Sequence, residues 1–197
     1  MDYIQHIPVE KWNLKEQDQQ LENALKNIEL TRIALYQTLN QYRYWQEFTK
    51  ENPDLHCTGF QIEVKEYEDQ VKIMFPGIIP YVNLGQRLED KDYYKKLDSF
   101  YQSELTKAIV KANLHKSFKK AFIVINHFFP DLVIRDFDNQ IKSFIFNALR
   151  YSKLIQDDSW RNITYLENGE LDRSNPRTEI IVTDYTVIRN LLSKLTK

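Results

Sequence analysis

The chain has 197 residues, of which 42% are hydrophobic and 28% charged, and its net charge is −1 at pH 7. That balance excludes a disordered or fibrous chain and supplies apolar side chains for at least one buried core. A single cysteine, Cys57, excludes an internal disulfide framework and a cysteine zinc cluster, and fits a reducing compartment.

The opening MDYIQHIPVEKW has neither the basic region nor the apolar core of a signal peptide, and apolar runs such as AFIVI are too short to span a bilayer. The expectation is a cytoplasmic protein with no membrane partner. Charge is unevenly spread. Residues 1–70 hold 13 acidic against 7 basic side chains, which leaves 15 acidic against 20 basic in the remainder.

In chain order, the stretch from Glu16 to Thr49 lacks glycine and proline, and Leu21, Leu25, Ile28, Leu35, Leu39 and Tyr42 recur at helical spacing. This predicts a long amphipathic helix, opened by Asn13 with Glu16 as a capping box and closed before Pro53. A second apolar line through Ile33, Tyr36 and Trp45 widens the stripe. Residues 1–58 are therefore expected to form a helical appendage for dimerisation or docking, and residues 59–197 a separate domain.

Period-two alternation in FQIEVKEY and QVKIMF predicts two strands joined at Glu68 and Asp69, and PGIIPYVN then demands an irregular loop. Leu97, Tyr101, Leu105, Ala108, Ile109 and Ala112 line a helix from Asp92 to about Leu114. Lys96, Lys107 and Lys111 share its flank. With eight lysines between Lys91 and Lys120 against Asp92, Asp98 and Glu104, this region is either a phosphate-binding surface or a solvated helix face. AFIVINHFF reads as a buried strand ended by Pro130, and QIKSFIFNALRYSKLI as a helix burying Ile141, Phe144, Ile145, Ala148 and Leu149. SWRNITYL and TEIIVTD are predicted strands, with ENGELDRSNP between them as a loop marked by the turn signal Asn168-Gly169. A final helix is expected from Tyr185 to Leu195. The fold class is α/β (α+β): a small mixed sheet with flanking helices.

Chemistry concentrates at the ends of the helix after AFIVINHFF. Asp136 and Asp138 stand at i and i+2, and in extended chain both carboxylates share one side while Phe137 turns to the core. Asp157 and Asp158 follow the helix. Four gathered carboxylates repel and lose water, and a hard divalent cation, magnesium or manganese, offsets that cost. Such a site polarises phosphate and activates water, and Lys142 neutralises charge developing on the phosphate. The plainer alternative makes Asp138-Asn139 a helix cap and Asp157-Asp158-Ser159 a turn. The intervening helix, about 18 residues, is roughly 27 Å long. A shared site then requires the helix to end near Arg150 or Tyr151 with SKLIQ folding back, or the second pair to come from another copy. His115 and His127 lack a second histidine at ligand spacing and read as structural.

The pattern Arg135-Asp136-x-Asp138-Asn139-x-x-Lys142, the step Asn147-Ala148-Leu149 and the pair Asp157-Asp158 resemble the RusA family of Holliday junction resolvases. FPGIIPYVN, with Gly77, Pro80 and Asn83, is similar to that family's entry segment, so the resemblance spans residues 70–184. It implies a homodimeric α/β endonuclease that uses magnesium, with manganese as a substitute, to cut symmetrically across a four-way DNA junction. It further implies metal ligation by Asp136, Asp138, Asp157 and Asp158, catalysis by Asp136, Asp138, Asp158 and Lys142, and phosphate contacts from Arg135 and Lys142. Asn139, Lys96, Lys107 and Lys111 complete the expected nucleic-acid surface. The rival expectation is a catalytically silent DNA- or protein-binding regulatory module, with the first helix and the lysine face as its working parts.

Overall fold

The computed structural model describes residues 14–49, 61–79, 90–137 and 140–189, with the side chains of the first helix described over 19–38. The chain divides into two units, Met1–His56 and Cys57–Lys197. In the first unit α1 (Leu14–Thr49) is an unbroken helix of 36 residues. Its expected apolar stripe is not buried along its length: Leu21, Leu25, Ile28 and Leu35 are 58–63% exposed, whereas Ile33 is buried. Asn13 lies outside the described residues, and the side chains of Leu39, Tyr42 and Trp45 outside those described.

The second unit runs β1 (Glu63–Glu66), β2 (Gln70–Pro76), α2 (Lys91–Lys111), β3 (Ala121–Phe129), α3 (Ser143–Tyr151), β4 (Ile163–Leu171) and β5 (Arg177–Asp184). The chain is helical again over 185–189, and the rest of the predicted final helix lies outside the described residues. The strands form one mixed sheet in the order β1-β2-β5-β3-β4. β1 and β2 are an antiparallel hairpin, β5 pairs antiparallel with both β2 and β3, and β4 runs parallel to β3 at the edge. This is a mixed α+β architecture with helices flanking a five-stranded sheet.

Alternation decides which face is covered. On β2, Val71, Ile73 and Phe75 are buried and their neighbours are not. They are in register with Val182, Ile180 and Thr178 of β5, and these with Ile123, Ile125 and His127 of β3. α2 and α3 pack on this face. Phe75, Tyr101 and Phe144 meet there with ring centroids 5.2–5.9 Å apart. Burying each such ring contributes roughly 1.5–3 kcal/mol, which outweighs the modest helix propensity of their β-branched and aromatic neighbours. Asp90 caps α2 by accepting from the Tyr93 amide at 3.3 Å. Ser143, first residue of α3, donates to Asp98 of α2 at 2.7 Å and fixes the two helices in register.

Two boundaries depart from the sequence reading. β4 continues through Glu167, Asn168 and Gly169 to Leu171, so ENGEL is strand and Asn168-Gly169 is no turn. The parallel ladder to β3, from Ala121↔Ile163 to Phe129↔Leu171, supplies partners that override the local turn signal. α3 is shorter than the apolar pattern suggested. It ends at Tyr151 because Lys153 adopts φ 62 and the amides of Leu154 and Ile155 turn back to the Leu149 carbonyl.

Candidate functional site

The loop between β3 and α3 carries most of the chemistry read from the sequence. It begins with a local clamp. Arg135 binds both oxygens of Asp131, at 2.6 and 3.0 Å, donates to the Val133 carbonyl and lies over the Phe129 ring at 4.9 Å. The guanidinium holds the Asp131 carboxyl below its ordinary value. Arg135, expected on phosphate, is thus engaged within its own loop. Asp136 is exposed. Asp138 and Asn139 lie outside the described residues. The Gln140 amide bonds to the Phe137 carbonyl at 3.3 Å.

Phe137 does turn inward. Its ring stacks on His127 at 5.5 Å, and His127 stacks on Phe129 at 5.7 Å. His127 is fully buried and meets Glu167 of β4 through Nε2 at 3.3 Å. Lys142 donates to the other Glu167 oxygen and to the Phe137 carbonyl, both at 2.7 Å. Burial pulls the His127 imidazole below its ordinary value, against the opposing pull of the Glu167 carboxylate. Glu167 was not foreseen. The available signal was the period-two phase Ile163, Tyr165, Glu167, Gly169, Leu171, which places it on the helix-covered face once β4 is given its full length.

The second aspartate pair sits elsewhere. After α3 the chain crosses to the start of β3, where Phe118 pairs with Ile155 and the Gln156 amide bonds to the Phe118 carbonyl. Asp157 and Asp158 therefore lie near the amino ends of β3 and β4, whereas Phe137 packs at the level of His127, near their carboxyl ends. From Ala121 to His127 a strand rises roughly 20 Å, so one chain does not bring Asp136 together with Asp157 and Asp158. The Ser159 hydroxyl and the backbone hold the Asp157 carboxyl below its ordinary value, as in a turn, and Asp158 faces Arg150 at 3.7 Å. Among the described residues no group of three His, Cys, Asp or Glu side chains is arranged to hold a metal ion. On α2, Lys96, Lys107 and Lys111 are exposed, with Lys107 bonded to Glu104 at 2.8 Å. Among the described residues no helix is long and apolar enough to cross a membrane.

No protein-family model matches the chain. No curated protein matches it either. A solved structure, the periplasmic domain of Helicobacter pylori MotB, aligns over 73% of this chain and 94% of that one at 10% identity, with a TM-score of 0.36. A likeness at that level transfers neither fold assignment nor activity. The resemblance to the RusA resolvases over residues 70–184 is corrected: no family model and no curated relative carries it. Short motifs of Asp, Asn and Lys also arise as caps and turns, and the turn at Asp157-Asp158-Ser159 is one of these.

Proposed function

We propose that the protein is a metal-dependent endonuclease acting on branched DNA, with its working surface at loop 130–142. The observation that carries this reading is the seating of that loop over the carboxyl ends of the parallel pair β3–β4. Open sheets place ligands beyond the carboxyl ends of their parallel strands, and the segment that carries Asp136 is anchored there through Phe137 on the His127–Glu167–Lys142 network. In this reading Asp136 and Asp138 bind magnesium or manganese, which would polarise a phosphodiester and activate water.

The described carboxylates of one chain do not complete a metal site, so the reading requires a homodimer in which Asp157 and Asp158 of one copy approach the loop of the other. A two-fold axis perpendicular to the strands would do this twice over, since an isologous interface repeats each contact in both directions. Lys96, Lys107 and Lys111 then offer positive charge to the DNA backbone. The test is cleavage of a labelled four-way junction against a linear duplex of equal length, with and without magnesium. Paired nicks on the junction that vanish in Asp136→Asn support the reading, and cutting that persists in Asp136→Asn defeats it.

A second reading, a DNA- or protein-binding regulatory module in the cytoplasm, is favoured by the exposed Leu21, Leu25, Ile28 and Leu35 of α1 and by the internal engagement of Arg135 and Lys142. It expects metal-independent binding that survives Asp136→Asn and assembly that fails when Leu35 and Leu39 become serine, as sedimentation would report.

A further inference from the structure

We infer that His127, Phe137 and Glu167 form a positioning device that seats the segment 130–137, which carries Asp136, on the sheet, an inference that rests on the nuclease reading above. The loop is held at two separate points. At the first, Phe137 lies across His127 and over Gly169. A Cβ on Gly169 would come within 3.3 Å of Phe137 Cζ and 3.1 Å of Phe129 Cε2, so the ring is docked close against the strand backbone and a side chain there would require the two rings to shift. At the second, the Lys142 ammonium joins the Phe137 carbonyl to Glu167, which ties the loop's own backbone to β4.

Glu167 connects the two points, with one carboxylate oxygen on His127 and the other on Lys142. An apolar side chain at position 127 would fill this core without the cost of taking a polar ring out of water. His127 Nδ1 and both amide atoms of Gln140 are buried without a hydrogen-bond partner, so this end of the core carries uncompensated polar groups. The charged groups around the imidazole are Glu167 from β4 and Lys142 from the loop end, with Arg135 stacked on the adjacent Phe129. His127 is fully buried and the Glu167 side chain 8% exposed, so neither offers its polar group freely to a substrate. They act through the placement of Asp136.

The experiment uses the full chain and follows hydrogen exchange over residues 130–142, together with trypsin cutting after Arg135, beside junction cleavage. Glu167→Gln keeps shape and loses the charge that holds Lys142. It should raise loop exchange about tenfold while β3 amides stay protected, and lower kcat about tenfold or more with KM little changed. Lys142→Met should loosen the loop equally, and Lys142→Arg should retain its protection. Ile109→Ala, a control in the α2 core, should not loosen the loop selectively. Unchanged loop exchange in Glu167→Gln overturns the inference, as does loosening of β3 in parallel with the loop. If the loop loosens as expected but the wild-type protein cuts no DNA, the device stands as a feature of the fold and the nuclease reading falls. If the wild type cuts and Glu167→Gln cuts with the same kcat, the positioning role alone falls.

Discussion

At the carboxyl ends of β3 and β4 a histidine and a lysine are withdrawn from water onto the two oxygens of one glutamate, whereas at the amino ends Asp157 and Asp158 stand on a turn with Arg150 3.7 Å from Asp158. In the first region Glu167 is 8% exposed and Lys142 16%. In the second, Asp158 is 32% exposed and Arg150, 3.7 Å away, 36%. Charges as wet as the second pair contribute little, because water screens them and two long side chains must be ordered. Charges as dry as the first specify geometry, because leaving any one of them alone is costly. Equal-looking acidic residues thus have different weight according to how much water each retains.

The two ends should differ most at Glu167. Glu167→Ala should cost roughly 3 kcal/mol, near the low end for a broken buried pair because Lys142 keeps some solvent. Asp158→Asn should cost less than about 1 kcal/mol. Urea unfolding of the two variants side by side checks this, and equal losses would erase the distinction between the two ends. Gly169→Val comes next. Branched carbons there enter space held by Phe129 and Phe137, and such overpacking should cost about 1–3 kcal/mol, read as a lowered urea midpoint. Lys153→Gly tests the turn that sends the chain to the amino ends. Relief of the left-handed conformation at φ 62 should raise stability by about 0.5–1 kcal/mol.

The last prediction concerns pH. His127 is held below its ordinary value by burial, so on mild acidification the unfolded chain takes up a proton that the folded one refuses. Stability is then complete above the unfolded value, about pH 6.5, and falls as the solution is acidified below it. His127→Gln should flatten that slope between pH 7 and pH 5 in thermal unfolding, and an unaltered slope would show that the buried ring is not its source.

Much of the element order was legible because it follows from periodicity. Ala121–Phe129 coincides with the run AFIVINHFF, and the β1–β2 hairpin turns at Glu68 and Asp69, where the Tyr67 amide meets the Gln70 carbonyl. What failed is what depends on tertiary partners. Asn168-Gly169 carries a turn signal, yet its glycine serves to admit Phe137 instead of reversing the chain. The stripe of α1 was legible as spacing, but spacing does not say whether Leu21 or Leu25 will be covered. The aspartates were legible as clusters and not as a site, since the placement of Asp157 depends on the crossing of the chain to Phe118. The role of Glu167 was hidden behind the misjudged end of β4.

The position of β5 has a consequence for how the chain acquires its structure. The last strand among the described residues lies in the middle of the sheet, where Thr178 meets Gly77 across 101 residues and Thr183 meets Asp69 across 114. Until β5 is synthesised, the β1–β2 hairpin and the β3–α3–β4 unit each expose an inner edge rich in valine and isoleucine. Contacts this remote in sequence carry a heavy loop-closure cost and fold slowly. A nascent chain stalled before Arg177 would thus present two open edges to chaperones, or to another copy of itself, and this late closure is the interval in which the protein is most prone to aggregate.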